Sequence, residues 1–130
     1  MQENIFHNSK DYQIYNYGKL GCVKYYHAFF SKIDSKNLFM SLLNTIKWQQ
    51  DKINLMGKLI DIPRLTAWYG INGKSYTYSG IKMYPNSLTT ELEFIKDKIE
   101  IVSSSSFNSV LLNQYRNGND SVDWHSDDEK

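Results

Sequence analysis

The segment from Phe107 to Tyr115 limits the possible folds of this chain more than any other, because it is its most strand-like stretch and a strand needs neighbours in a sheet. A tight turn is predicted directly after it at Asn117-Gly118-Asn119-Asp120, four residues that favour chain reversal. An extended pattern then resumes from Val122 to Asp127. The last quarter of the chain is therefore predicted to belong to a β-sheet.

Helices and short strands alternate before this segment. One helix is predicted from a cap at Ser35 to about Trp48, and a second from about Ser87 to Ile101, each with apolar residues at helical spacing. Met56-Gly57 interrupts a strand-like stretch as a hairpin turn does. Short strands or extended segments are predicted at Gly21–Phe30, Ile53–Leu55, Lys58–Ile62, Leu65–Tyr69 and Ser75–Ser79. The mixture predicts an α+β fold.

Composition narrows the functional classes. At 130 residues and 41% hydrophobic, the chain fits one small domain with a core. Its single cysteine excludes an internal disulfide and a multi-cysteine zinc site. No apolar run is long enough to span a bilayer and the first residues do not resemble a secretory signal, so we expect an intracellular protein, in the cytoplasm or nucleus, without a membrane partner.

Charge is unevenly distributed along the sequence. Residues 1–64 hold nine Lys and Arg against five Asp and Glu, or +4, whereas residues 65–130 hold six against nine, or −3. A basic half suits phosphates and an acidic cluster suits a hard cation. A solvated lysine face and a frayed acidic tail explain the same pattern, so charge alone leaves both interpretations open.

Two pairs of side chains near the end of the chain indicate a specific chemistry. In an extended segment His125 and Asp127 project to the same side, and together they supply two of the three ligands of a 2-His-1-carboxylate iron site. Asn113 and Tyr115 likewise share one face of their strand, where an amide and a phenol can hydrogen-bond a small acid. A surface histidine in a polar tail is the structural alternative.

Several motifs in order resemble those of the AlkB-like, Fe(II)- and 2-oxoglutarate-dependent dioxygenases that demethylate nucleic acid bases, most closely the subgroup acting on double-stranded DNA. The motifs are Pro63-Arg64, Trp68-Tyr69-Gly70, Tyr76-Thr77-Tyr78-Ser79-Gly80, Phe107-Asn108, Asn113-Gln114-Tyr115 and His125-Ser126-Asp127-Asp128-Glu129. The resemblance implies that His125 and Asp127 bind Fe(II), and that Asn113 and Tyr115 hydrogen-bond the cosubstrate 2-oxoglutarate.

The same resemblance implies a site for an alkylated base flipped out of its helix. Tyr78 would stack on the base, opposite the ring of His125, and the other expected contacts are Tyr76, Ser79 and Glu129. Met56 and Gly57 lie where relatives carry a residue that wedges into the duplex, and Arg64 suits a phosphate contact. Alkylated DNA, with double-stranded DNA favoured, or RNA is the implied partner.

The implied fold is the N-terminal part of a double-stranded β-helix, or jelly-roll, with two supporting helices and a nucleotide-recognition hairpin. Residues 1–130 would form one partial dioxygenase domain. Residues 1–50 are its lead-in strand and helix, 51–85 the nucleotide-recognition region, and 86–130 the second helix and first jelly-roll strands.

Two parts of the family's machinery lie downstream in relatives: a second iron-binding histidine and an arginine that binds 2-oxoglutarate. Arg116 faces away from Asn113 and Tyr115 by alternation, so it is a poor substitute. We therefore expect the 130-residue chain alone to be inactive and marginally stable, and the full-length protein to be a monomeric enzyme of DNA dealkylation repair. A non-catalytic nucleic-acid-binding remnant of the family, and an oxygenase of this fold acting on RNA or protein, are the alternatives.

Overall fold

The computed structural model describes residues 12–71, 76–78 and 81–125, with 76–78 and 81–83 described by their backbone alone. The elements within these ranges are β1 Tyr12–Asn16, β2 Cys22–Tyr26, α1 Lys32–Thr45, β3 Lys52–Leu55, β4 Lys58–Asp61, β5 Leu65–Gly70, β6 Tyr76–Tyr78, β7 Ile81–Met83, β8 Asn86–Ser87, α2 Thr90–Ser103 and β9 Ser109–Gln114, with a single-turn 3-10 helix at Gly18–Leu20 between β1 and β2. This mixture confirms the predicted α+β class. Neither described helix has the length and apolarity that crossing a membrane requires.

A three-stranded sheet in the order β8-β5-β9 is the centre of the described structure. β5 and β9 run antiparallel, and their register extends from Leu65 opposite Gln114 to Gly70 opposite Ser109. On its other edge β5 pairs in parallel with the short β8, and an isolated bridge joins it to Gln49. The predicted strands at Leu65–Tyr69 and Phe107–Tyr115 are thus confirmed as β5 and β9, and the structure shows in addition that they are direct neighbours.

One face of this sheet packs against the two helices. Tyr69 and Ala67 of β5, Ile46 after α1, and Leu92 of α2 form the buried cluster, and Tyr69 is only 2% exposed. Partly buried hydrophobic residues surround this cluster: Leu42, Trp48, Leu88, Val110 and Leu112. Because inward-facing positions alternate along a strand, the opposite face of the sheet carries a different set of side chains.

Both predicted helices form, but each starts at a different residue from the one expected. α1 is capped by Ser31, not Ser35, because the Ser31 hydroxyl accepts from the Asp34 N–H at 3.0 Å and donates to the Asp34 carboxylate at 2.7 Å. α2 is capped by Thr89, whose Oγ1 accepts from the Leu92 N–H. α1 ends at Thr45, before the predicted end at Trp48, since Ile46 has an extended backbone.

Three two-stranded hairpins complete the described elements. β1 pairs with β2, β3 with β4, and β6 with β7, all antiparallel. The turn between β3 and β4 falls at Met56 and Gly57, as predicted, with positive φ values of 51° and 80°. Consecutive positive φ angles match the turn to the right-handed twist of the two strands.

Candidate functional site

The sheet face turned away from the helices carries two of the predicted ligand-binding residues. Thr66 lies opposite Asn113 and Trp68 opposite Leu111, and residues directly opposite in an antiparallel pair project to the same side. Asn113 is exposed, as is Tyr115 just beyond the end of β9, whereas Gln114 between them is half-buried. We refer to this side as the exposed face, after the exposed side chains of Leu111 and Asn113; its two β5 members are covered, since Thr66 is 8% exposed and Trp68 is half-buried.

Arg64 reaches this exposed face from the residue before β5. Its Nε donates a hydrogen bond to Oδ1 of Asn113 at 3.0 Å, although 49 residues separate them in the sequence. The expected role of Arg64 was a phosphate contact, and sequence reasoning did not predict its contact with Asn113. Thr66, two residues further along the chain and within β5, donates its hydroxyl to the carboxylate of Asp51.

Beyond β9 the chain is held by an ion pair. The Arg116 guanidinium binds the Asp120 carboxylate through Nε at 2.7 Å and Nη2 at 2.9 Å, and the Arg116 backbone N–H donates to the same carboxylate. Hydrogen bonds from the Arg116 side chain and backbone lower the pKa of Asp120 from 3.8 to about 2, and the Asp120 contact raises the pKa of Arg116. The turn predicted at Asn117–Asp120 is confirmed, since the Asp120 N–H donates to the Asn117 carbonyl.

This turn is attached to the connection between β4 and β5. Nη1 of Arg116 donates to Oε1 of Gln50 at 3.1 Å, and Nε2 of Gln50 donates to the Ile62 carbonyl at 2.7 Å. The Ser121 N–H donates to the Pro63 carbonyl at 3.0 Å. We call Arg116, Asp120 and Gln50 the Arg116 clamp; the side-chain hydrogen bonds of Arg116 among the described residues go to Asp120 and Gln50.

The clamp leads into the segment that carries His125. Residues 121–125 contain no strand, and the chain bends at Trp124, whose N–H donates to the Asp123 carboxylate. The extended pattern predicted from Val122 is therefore wrong over these residues. Nδ1 of His125 lies 2.8 Å from the Asp123 carbonyl. A carbonyl only accepts, so Nδ1 is the donor in this contact, and Nε2 is the ring nitrogen through which a metal would be bound.

Several predicted residues fall outside the described side chains. Asp127, Glu129 and Ser79 lie outside the described residues. Tyr76 and Tyr78 are described by backbone alone, opposite Met83 and Ile81 in the β6–β7 pair. Within the described ranges, no three His, Cys, Asp or Glu residues form a metal-binding group. The predicted iron and base-binding sets therefore remain predictions.

The hairpin of β3 and β4 presents its turn to solvent. Met56 is 98% exposed, and its φ of 51° is a conformation that a residue with a Cβ adopts at an energetic cost. The Gly57 N–H donates to Oδ1 of Asn54 at 2.9 Å, and Lys52 pairs with Asp61 at the other end of the hairpin at 2.7 Å. The hairpin is thus braced at both ends while an apolar side chain projects from its tip.

Comparison with known proteins identifies the class. The 2OG-Fe(II) oxygenase superfamily model matches residues 22–130, and the chain belongs to this superfamily. Membership implies Fe(II) as cofactor and 2-oxoglutarate as cosubstrate. The donors described above fit such ligands in part: Asn113, Tyr115 and Arg64 suit a carboxylate, and Nε2 of His125 suits a metal.

Individual relatives place the chain within that superfamily. It is 32% identical over 108 residues to the DNA oxidative demethylase ALKBH2 of Bos taurus, which covers 81% of this chain and 39% of the relative. It is 44% identical over 97 residues to the alpha-ketoglutarate-dependent dioxygenase alkB homolog 3 of Bos taurus, covering 74% of this chain and 33% of the relative. With the Homo sapiens alkB homolog 3 the identity is 56% over 68 residues, or 52% of this chain and 23% of the relative. The AlkB-like resemblance is confirmed, and the chain spans less than half of each of these relatives.

Proposed function

We propose that the protein containing this chain removes alkyl groups from nucleic acid bases by oxidation, with alkylated DNA as substrate and double-stranded DNA favoured. The observation that carries the proposal is the arrangement of donors on and beside the exposed face, in a chain of the 2OG-Fe(II) oxygenase superfamily. Bound Fe(II), with 2-oxoglutarate and O2, would supply the oxidation that hydroxylates an N-methyl group, after which formaldehyde leaves.

The cosubstrate would lie on the exposed face. Asn113 and Tyr115 donate to its carboxylate from alternate positions, and Arg64 places a positive charge beside Asn113. Because the other face of the sheet is packed against the helices, these donors stand on a rigid support, which a precise binding site requires. In the full jelly-roll expected for the family, later strands would cover this face.

Iron binding would fall to His125 and Asp127. The Ser121–Pro63 hydrogen bond fixes the start of the segment, and four residues of extended chain span at most about 14 Å, so the Cα of His125 stays within that distance of the Cα of Ser121. The Asp123 carbonyl sets the tautomer of His125 by accepting from Nδ1. Both contacts would restrict where His125 can lie when a metal binds.

The β3–β4 hairpin would contact the nucleic acid. A base must leave the stack before its methyl group can be oxidised, at a cost of a few kcal/mol, and a wedge that fills the gap offsets part of this. Met56 suits the wedge because it is apolar, flexible and almost fully exposed. Tyr78 would stack on the flipped base, with Tyr76, Ser79 and Glu129 around it.

The test uses the intact protein with Fe(II), 2-oxoglutarate and oligonucleotides carrying N-methylated bases as duplex DNA, single-stranded DNA and RNA. We expect succinate and formaldehyde in equal amounts, with the highest rate on duplex DNA, and loss of both products in H125A and D127A. Binding of the oligonucleotides without either product would instead support the non-catalytic alternative. Faster turnover of RNA would refute the preference for DNA.

A further inference from the structure

Arg64 is held on the exposed face, whereas a residue kept only for phosphate contacts would extend into solvent. It is half-buried, and its Nε–Asn113 hydrogen bond joins the residue before β5 to the next-to-last residue of β9. Continuing the β5–β9 register by one residue beyond Leu65–Gln114 brings Arg64 opposite Tyr115. Arg64 therefore lies next to both residues expected to bind 2-oxoglutarate.

The contact determines which end of the Asn113 amide a ligand meets. A guanidinium can only donate, so the atom of Asn113 that faces Arg64 must be the carbonyl oxygen Oδ1. The two donors of Nδ2 then point away from Arg64. Without this contact the amide could rotate, because its terminal torsion has no single strong preference. Arg64 thereby selects the donor end of Asn113 for whatever binds beside it.

Arg64 and Arg116 differ in whether a carboxylate pairs with their positive charge. Arg116 is paired bidentately with Asp120, which neutralises it locally. Among the described residues, no Asp or Glu forms an ion pair with Arg64. A carboxylate-bearing ligand at Asn113 would therefore meet oriented amide donors and an adjacent cation whose charge no described carboxylate balances.

We propose that Arg64 is a positioning residue of the 2-oxoglutarate site, which orients the Asn113 amide toward the carboxylate of the cosubstrate. The inference rests on the proposed function, since it requires that 2-oxoglutarate binds on the exposed face. The two possible roles of Arg64 predict different effects of replacing it. A positioning role predicts weaker binding of 2-oxoglutarate, whereas the phosphate contact expected from the sequence predicts weaker binding of DNA.

Two affinities of the intact protein separate these roles. Calorimetry with Mn²⁺ in place of Fe²⁺ measures 2-oxoglutarate binding without turnover, and fluorescence anisotropy measures binding of duplex DNA. We expect R64M to weaken 2-oxoglutarate binding about tenfold. An Asn113 amide that is no longer oriented would lose its hydrogen bond to the charged carboxylate of the cosubstrate, and this is the size of effect such a loss has. K58M, which removes a charge from the hairpin instead, is the matched control and should weaken DNA binding while leaving 2-oxoglutarate binding unchanged.

Two further variants test orientation itself. N113D keeps an acceptor for Arg64 but loses the amide donors, so it should weaken 2-oxoglutarate binding at least as much as R64M. R64K retains a donor and the charge without the rigid planar group, and should bind more tightly than R64M and less tightly than the wild type. R64K also provides a folded test should R64M not fold.

The outcomes are distinct. An R64M or R64K protein that binds 2-oxoglutarate as the wild type does, but loses DNA affinity as K58M does, would overturn the inference and support the phosphate role alone. Failure of the wild-type protein to bind 2-oxoglutarate would overturn the proposed function and the inference together.

Discussion

The Tyr69 hydroxyl holds the end of α1 against the sheet, and Y69F tests this. Tyr69 is 2% exposed, and its oxygen accepts a hydrogen bond from the Lys47 N–H at 2.9 Å. Since Ile46 is already extended, the helix ladder ends before Lys47. Replacement by phenylalanine removes only the hydroxyl and leaves the ring in the core.

The size of the effect follows from the surroundings of the Lys47 N–H. An unpaired buried donor costs about 1–3 kcal/mol. Lys47 is exposed, so water can reach its N–H in part, and we expect the lower end, about 1 kcal/mol. For a domain of this size that corresponds to a fall in Tm of roughly 3–5 °C.

Urea and thermal unfolding followed by tryptophan fluorescence measure this change, and hydrogen exchange at the Lys47 amide localises it. The control is Y15F, which removes a hydroxyl from an exposed tyrosine bonded to Gln13 and should change the free energy of unfolding by less than about 0.5 kcal/mol. If Y69F and Y15F unfold alike, and Lys47 exchange does not accelerate in Y69F, the hydroxyl does not hold the end of α1.

Three other outcomes are expected. L92A, at a side chain only 4% exposed, should lower the free energy of unfolding by about 2–5 kcal/mol in the same urea assay. The pKa of Asp120 is lowered to about 2, below its ordinary 3.8, so its stabilising contribution is present above pH 4 and lost as the pH falls toward 2. D120N should therefore be less stable than the wild type at pH 6, and a difference as large at pH 2 as at pH 6 would contradict the ion pair as its source. M56N, with Asn-Gly in a turn that requires positive φ, should stabilise the hairpin but reduce oxidation of duplex DNA more than of single-stranded DNA; equal losses on both would exclude the wedge.

Local sequence patterns predicted the elements whose residues carry strong signals of their own. The β3–β4 turn follows from Met56-Gly57, and β9 from a long run of strand-forming residues. β8 was missed because it is only two residues long and exists through its parallel pairing with β5. The start of α1 was misplaced because both Ser31 and Ser35 can cap a helix, and only Ser31 is followed at the third position by an acid that completes the reciprocal pair.

The side-chain contacts between distant parts of the chain could not be predicted from the sequence. Alternation predicted Asn113 and Tyr115 on one face; Asn113 is an exposed position in the alternating pattern of β9, and Tyr115, just beyond the strand, is exposed as well. The Arg64–Asn113 contact joins residues 49 positions apart and depends on the register between β5 and β9. The Arg116–Gln50 contact joins residues 66 positions apart and depends on the path of the turn after β9. The sequence around a charged residue at the end of a strand does not indicate which distant residue its side chain will contact.

These long-range contacts converge on the short connection between β4 and β5. Pro63 accepts from Ser121, the Ile62 carbonyl accepts from Gln50, and Arg64 donates to Asn113. The connection is also the stem of the hairpin that carries Met56. The candidate cosubstrate face, the start of the segment bearing His125 and the candidate nucleic-acid wedge therefore share one anchor of three residues. A displacement of the hairpin stem must therefore be absorbed by these hydrogen bonds or transmitted to Asn113 and to Ser121.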